Sequence, residues 1–373
     1  MTRAFYPLTS AKPFVRNAWY VAAWSSELQE QMLPRRILDT PVVLFRDEHG
    51  QVVALDDRCP HRRYPLHKGS LERGVITCGY HGFAFNGRGK CVSVPSMAKP
   101  VSAQRARAYP VKEVWRWIWI WLGDPTLSDS TPLPDMNVLH AGDPSWQPTV
   151  GGVATLKARN MLLHENLLDL SHLSYLHKSS VGSPGIASAK LKVTDTPEGL
   201  DLERAVLADE MEGSPLGKAL GVSGPVDRIM TQRFLAPALH VTSPKFYSAQ
   251  NGGVSPGRLF GEFSVIHGIT PETATSTHYF WGFTRNFRLE SDFDELLRKT
   301  IGVAVDEDVE AAMEIERLID DDSDPDDDIH SPADVAAIKG RRIMQRMIDA
   351  EDVVTRAAAR DSGASCLAEE LPT

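Results

Sequence analysis

Two groups of residues in this chain have the types and spacing to do chemistry. The first is Cys59-Pro60-His61 followed by Cys78-Gly79-Tyr80-His81, a C-x-H-x16-C-x2-H pattern. Two thiols and two imidazoles on a pair of loops bind either zinc or a [2Fe–2S] cluster in which thiolates hold one iron and imidazoles the other. Structural zinc sites favour C-x2-4-C knuckles, whereas here each loop supplies one Cys and one His, as a cluster with chemically different irons requires. The spacing therefore favours the cluster. Gly69, Gly74, Gly79 and Gly82 allow close backbone approach, and amides such as that of Tyr80 are placed to tune a cluster. Cys91 and Cys366 lie outside the pattern and read as free thiols.

The second group is the stretch from Asn166 to His177. Leu163, Leu167, Leu170, Leu173 and Leu176 recur at helical spacing and argue for a buried helix. Asp169 and His172 share one face of it, while His177 is set roughly 140° from His172 on an ideal helix. Both imidazoles reach one ion only if the helix distorts or ends there. A helix broken beside a His pair suits a non-haem iron site of two histidines and one carboxylate from elsewhere, with positions left open for O2. The bland alternative is a core helix with two internally satisfied histidines.

A carboxylate for such a site is offered between Asp292 and Asp320. There Leu297, Ile301, Ala304, Val305, Ala312, Ile315 and Ile319 trace one helical stripe, and Asp308 falls on it. Asp306, Glu307 and Glu310 point to other faces. A carboxylate on a buried face is costly unless paired or metal-bound, which singles out Asp308 and leaves Glu307 as the fallback.

The surrounding pattern tells which elements hold these groups. From Asn17 to about Gly123, short β-like runs are cut by turn residues. They include Trp19–Trp24, 36–38, 41–46, 52–55 and a tryptophan-rich run over 114–121, and together they predict a small all-β domain. Ser128 to Pro148 is rich in Ser, Thr, Pro and Asp and reads as a linker, with the domains bounded at 15–127, 128–150 and 151–360. Strand-like runs at 189–206, 228–235, 238–242, 263–267 and 277–283 predict an antiparallel sheet wrapped round the iron helix, its alternate side chains lining a pocket. The segment 211–225 has no clear period and reads as a surface loop, with a lid beside the metal helix as the alternative. The acidic run 320–328 reads as a solvated loop, a calcium site being disfavoured by its spacing. An amphipathic helix is predicted from 332 to about 358 with Val335, Ile338, Ile343, Met347 and Val354 in phase, then a disordered tail over 361–373.

The chain of 373 residues is long for one core, which agrees with two domains. A net charge of -9 and the absence of a basic stripe with interleaved aromatics argue against nucleic acid as a partner, and allow a positively charged redox partner. No run of about 18 apolar residues exists and the start lacks a secretory core, so no membrane partner and a cytoplasmic location are expected. Four cysteines are too few for a disulfide scaffold of this size.

With both motifs in hand, the chain resembles the large subunit of a Rieske non-haem iron oxygenase. Cys59, His61, Cys78 and His81 match the family's cluster motif, and Asn166-x2-Asp169-x2-His172-x4-His177 matches its catalytic motif, in the same order, over about residues 15 to 320. The resemblance implies an α+β fold: an N-terminal all-β Rieske domain followed by a helix-grip catalytic domain, assembled as a head-to-tail homotrimer. It implies that Asp169 bridges the iron site to the neighbouring subunit's cluster, and it places a ligand within Asp306-Glu307-Asp308. His267-Gly268-Ile269-Thr270-Pro271-Glu272 resembles a segment of the vanillate O-demethylase-like branch and makes His267 a candidate substrate contact. The activity implied is that of a terminal oxygenase. It uses O2 and electrons passed from NAD(P)H through a reductase or ferredoxin for O-demethylation or hydroxylation of an aromatic acid. Ring dihydroxylation is the alternative. A Rieske electron carrier without oxygenase activity, or a zinc-stabilised binding protein, is the reading from a different class. The extra C-terminal material beyond Asp320 leaves room for a substrate other than vanillate.

Overall fold

The computed structural model describes residues 5–98, 105–140, 142–249, 257–319 and 328–366, with side chains up to 353. Its first half is all β: β1 (Trp19–Trp24), β2 (Leu33–Ile37), β3 (Thr40–Arg46), β4 (Val52–Asp56), β5 (Ser70–Glu72), β6 (Val75–Thr77), β7 (Ala84–Phe85), β8 (Cys91–Ser93), β9 (Ala108–Tyr109), β10 (Val111–Val114) and β11 (Trp117–Trp121). They form three antiparallel sheets ordered β1-β11-β10, β2-β3-β4-β9 and β5-β6-β7-β8. The second half adds β12 (Gln147–Leu156), α1 (Asn160–Leu168), α2 (Gly185–Ser188), β13 (Leu191–Asp195), β14 (Gly199–Asp209), α3 (Pro215–Leu220), β15 (Val226–Leu235), β16 (Leu239–Ser248), β17 (Leu259–Thr273), β18 (Ser276–Arg285), α4 (Ser291–Leu318) and α5 (Val335–Cys366). Its seven strands make one antiparallel sheet, β12-β18-β17-β16-β15-β14-β13. This is the α+β arrangement expected, a small β domain followed by a sheet curled round helices.

The tryptophan-rich run is not one strand. Trp115 and Arg116 both have positive φ, 54° and 65°, and close a two-residue hairpin between β10 and β11. That turn conformation usually recruits Asn-Gly, so nothing in the sequence marks it. The hairpin lets Trp117, Trp119 and Trp121 join Trp19 and Trp24 in one cluster with Leu239, Val241, Ile266 and Phe280 from the large sheet. Each such ring removes about 150–250 Å² from water, worth at most ~4–6 kcal/mol by area. The aromatic face thus seals one domain on the outer face of the other, and Thr270 adds a bond of 2.8 Å from its hydroxyl to the Val21 carbonyl.

The inner face of the sheet holds α1 against α4 and α5. Arg159, just before α1, pairs with Glu316 of α4 at 2.7 Å, and Glu165 pairs with Arg341 of α5 at 2.9 Å. A Cβ on Gly340 would lie 2.5 Å from Leu168, so α5 comes close to α1 there. The buried face of α5 is accordingly Ala336, Ala337, Gly340, Met344 and Ile348, while Val335 is exposed. The stripe read from the larger side chains is therefore rotated by about one residue, because small residues permit the close approach. In α4, Ile315 likewise lies off the buried stripe and is exposed.

Three further expectations change. β12 starts at Gln147, so the last residues of the supposed linker belong to the catalytic sheet. Residues 211–225 are not a surface loop: α3 runs through them, and Met211, Leu216, Ala219, Leu220 and Val222 are buried in the core that α4 also joins. The C-terminal chain stays helical to Cys366 instead of losing order at 361. Residues 320–327 of the acidic run and 367–373 of the tail lie outside the described residues. Asp328, which ends the acidic run, accepts a 2.7 Å bond from the Tyr6 hydroxyl.

Candidate active site

The cluster loops follow β4 and β6 and share one backbone design. The Cys59 amide bonds the Tyr64 carbonyl at 2.9 Å and the Cys78 amide bonds the Phe83 carbonyl at 2.8 Å. Within each loop the fourth residue on turns left-handed, Arg63 at φ 59° and Gly82 at φ 69°. The loops pack so closely that a Cβ on Gly69 would lie 2.0 Å from the Thr77 carbonyl oxygen. Cys59 and Cys78 are buried, whereas His61 and His81 are exposed with ring centroids 4.6 Å apart. Burial pushes the Cys59 thiol up to about 11, so a thiolate there needs a bound cation, as the donor set of a cluster supplies. This polarity, thiols inside and imidazoles at the tip, fits a centre that exchanges electrons at its histidine end. The exposed charges beside the tip are Arg62, Arg63 and Lys68, which have no ion pair among the described residues. Positive charge here is the opposite of what the net charge of -9 suggested for the face of a redox partner.

At the second site α1 ends at Leu168. Asp169 takes an extended backbone (φ -111°, ψ 90°) and caps a short 3-10 turn over Leu170–Ser174. This break brings the two imidazoles together, with ring centroids 4.9 Å apart. His172 Nδ1 donates to the Asp169 carbonyl at 2.5 Å, and His177 Nδ1 donates to Glu307 Oε2 at 2.7 Å. Each ring therefore turns Nε2 toward Asp308, whose Oδ1 lies 3.6 Å from His172 and 3.0 Å from His177. Ligand atoms about 2.1 Å from one ion at right angles stand about 3 Å apart, so this donor set fits a single metal with open positions. All three ligand atoms lie within 4.8 Å of one another. Burial lowers the pKa of His172, while in His177 Asp308 and Glu307 outweigh burial and raise it. Asn166 donates to the same Asp308 oxygen at 2.9 Å.

Asp169 uses its side chain elsewhere. It accepts from the Ser171 amide and hydroxyl, each at 2.9 Å, and faces the buried Arg204 at 3.6 Å. Tyr175, three residues beyond His172, is 74% exposed.

The pocket over His172, His177 and Asp308 is lined by leucines 167, 170, 173 and 216, and by Val181, Met230, Pro244, Phe263, Val265, Ile301, Ala304 and Val305. Apart from the ligands, its polar residues are Arg228, Thr242 and His267. Leu216 brings α3 to the pocket wall. His267 is buried and held at about 4 by burial, hence neutral.

A chain of bonds fixes its proton. The Gln232 amide nitrogen donates to His240 Nδ1 at 3.2 Å, so His240 carries its proton on Nε2, which donates to His164 Nδ1 at 2.9 Å. The Thr242 hydroxyl donates to the Gln232 carbonyl and must accept from His267 Nε2 at 3.2 Å. Tyr279 then donates to His267 Nδ1 at 2.7 Å. His267 thus carries its proton on Nε2, where Thr242 accepts it.

The structure brings together His172, His177, Asp308 and Asn166, sets His267 in the same pocket, and groups Cys59, His61, Cys78 and His81 at the other domain's tip. The orienting role of Glu307, the Arg204 partner of Asp169, and the members Arg228, Gln232, Thr242, His164 and His240 were not read from the sequence. Strand register, which unites them, has no local signal.

Comparisons with known proteins agree with this geometry. The Rieske [2Fe-2S] domain model matches residues 18–113, and the vanillate O-demethylase oxygenase C-terminal domain model matches 156–350. The iron-sulfur subunit of the toluene-4-sulfonate monooxygenase system of Comamonas testosteroni is 33% identical over 348 residues, 91% of this chain and 98% of that protein. The oxygenase component of dicamba O-demethylase from Stenotrophomonas maltophilia is 38% identical, covering 76% and 83% of the two chains. A vanillate O-demethylase oxygenase subunit of a Pseudomonas species is 31% identical, covering 92% and 98%. The crystal structure of dicamba monooxygenase bound to 3,6-dichlorosalicylic acid matches with a TM-score of 0.82 at 33% identity, over 91% of this chain and 99% of that one.

Proposed function

The chain belongs to the Rieske non-haem iron oxygenases, in the branch of the vanillate O-demethylase oxygenase subunits, and from that membership we propose that it demethylates or hydroxylates an aromatic acid. It is the oxygenase component of a multicomponent system, fed by a reductase or ferredoxin. Among the described residues no helix is long and apolar enough to cross a membrane.

In this reading Cys59, His61, Cys78 and His81 hold the Rieske cluster, and His172, His177 and Asp308 hold one ferrous ion. When bound, these centres supply electrons singly and an open face for O2. The observation that carries the substrate class is the pocket over His172, His177 and Asp308, apolar except for Arg228, Thr242 and His267. The apolar walls accept a ring and exclude water, and an oxygen of the substrate can share the His267 Nε2–H that Thr242 accepts at 3.2 Å. Relatives named for vanillate, a methoxylated aromatic acid, and for toluene-4-sulfonate, an aromatic anion, support the class. For a methoxy substrate the balance is one O2, two electrons and two protons, giving the phenol, formaldehyde and water.

Asp169 serves as the bridge to the cluster of a neighbouring subunit in a homotrimer. Its carboxylate, 23% exposed and close to the iron site, supports that role. Sedimentation of the purified protein tests the trimer, and a monomer would remove the bridge. For the activity, purified chain and a reductase are given NADH and each methoxybenzoate in turn, following O2 uptake and formaldehyde. Formaldehyde equal to O2 consumed is expected with at least one acid; a cis-diol product would instead mean ring dihydroxylation.

A further inference from the structure

Along the inner face of the large sheet the strand register sets the pocket's lining in order. Arg228 stands opposite Phe246, Met230 opposite Pro244, Gln232 opposite Thr242, and His240 opposite both Phe234 and His267. The His267 ring reaches Thr242, which stands opposite Gln232, so it and Arg228 are about four residues apart along β15, about 13 Å of strand. Between these polar ends the lining is Met230, Pro244, Phe263 and Val265. Asp308 acts electrostatically on His267, whereas the carboxylate nearest Arg228 is Asp209. The metal ligands therefore sit toward the His267 end, and Arg228 marks the far end.

Arg228 is 2% exposed and incompletely partnered. Its Nη1 donates to the Val181 carbonyl at 3.0 Å, its guanidinium lies 5.3 Å from the centre of the Phe246 ring, and its Nε has no partner. Asp209 is 4.0 Å away and already accepts from the Ser183 hydroxyl at 2.8 Å. An arginine needed only to neutralise a carboxylate makes a short pair such as Arg159–Glu316 at 2.7 Å. Burial lowers Arg228 to about 10, so it remains a cation at neutral pH. A buried cation with an unused donor and no close carboxylate, on a cavity wall, lacks an anion.

We propose that Arg228 is the anion-anchoring residue of the substrate pocket, taking the carboxylate or sulfonate of an aromatic substrate at the end remote from the metal ligands. The proposal rests on the oxygenase reading above and adds the residue that selects for the acid. Arg228 then sets which end of the ring is buried and which group meets the open metal face.

The test is equilibrium binding to the purified holoenzyme of each monomethoxybenzoate against its carboxamide, and of toluene-4-sulfonate against toluene-4-sulfonamide. The wild type is expected to favour at least one anion about thirty-fold or more over its neutral partner. Arg228→Gln should reduce that preference to within about three-fold, chiefly by weakening the anions, and Arg228→Lys should keep part of it. Persistence of the preference in Arg228→Gln, with cluster absorption and iron content intact, overturns the assignment. Should Arg228→Gln lose its metals, Arg228→Lys decides: an anion affinity equal to wild type refutes the proposal, and a loss of about ten-fold confined to the anions supports it. A wild type that binds none of these anions while holding both metals would instead defeat the aromatic-acid reading itself.

Discussion

Glu307 accepts from Nδ1 of His177 at 2.7 Å, while the next residue, Asp308, faces Nε2 of the same ring at 3.0 Å. Successive helical positions turn by about 100°, so two adjacent carboxylates of α4 grip opposite edges of one imidazole. Ser180 also donates to Glu307 at 2.8 Å, which fixes that carboxylate in turn. Asp308→Ala should lose the mononuclear iron. Glu307→Ala should keep the ligands and weaken iron binding by about 10–100-fold. Iron analysis alongside the visible spectrum of the cluster checks both, and iron retained in Asp308→Ala would exchange the two roles.

The opposite shifts of the paired histidines give a pH dependence. Asp308 and Glu307 raise His177 despite its burial, so below that raised pKa a proton shared with Asp308 occupies the metal's place. A raised folded-state pKa stabilises the metal-free protein fully below about 6.5, the unfolded value, and loses that contribution as pH rises through the folded one. Metal competes with that proton and binds more weakly as pH falls. The melting temperature gained on adding Fe(II) under anaerobic conditions should therefore grow from pH 6 to pH 8. A gain independent of pH would remove His177 from the ligand set.

How far the sequence reached depended on whether a signal was local. That the helix must break was legible because His172 and His177 could not share an ion on an unbroken one, but its place was not: the leucine period runs on to Leu176 while α1 ends at Leu168, before both histidines. Asp308 was legible because it interrupts an apolar stripe. The hairpin at Trp115-Arg116 was not, since neither residue favours positive φ and the tryptophans alternate through it. α3 was missed because its six residues are too few to show a period. Arg228, Gln232, His240 and His267 come together only through the pairing of β15, β16 and β17, and pairing register leaves no mark on any one strand.

Asp169 contributes to the iron site through its backbone and to anything beyond it through its side chain. Its carbonyl oxygen holds His172, and that bond survives substitution. Removing the side chain also costs the cap on Ser171, about 1 kcal/mol. Asp169→Ala should therefore fold with both metals bound yet lose coupled turnover by about two orders of magnitude or more. Single-turnover oxidation of the reduced cluster reads this directly, and wild-type rates would refute the bridge.

The hydrogen-bond chain behind His267 has one direction, imposed by Gln232. Its carbonyl accepts from Thr242 and its amide donates to His240, so Thr242 has only lone pairs to offer His267. Gln232→Met frees the Thr242 hydroxyl to turn and donate to His267 Nε2, driving the His267 proton to Nδ1 toward Tyr279. The Nε2–H that Thr242 accepts, and that a substrate oxygen can share, is then lost, a change worth about 1.4 kcal/mol. KM for an acid substrate should rise roughly ten-fold with kcat within about two-fold, because the metal ligands are untouched. Adding Thr242→Val removes the hydroxyl that captured the lone pair and should recover most of the loss. A merely structural role for Gln232 predicts the reverse, since the double variant would carry two buried defects in place of one.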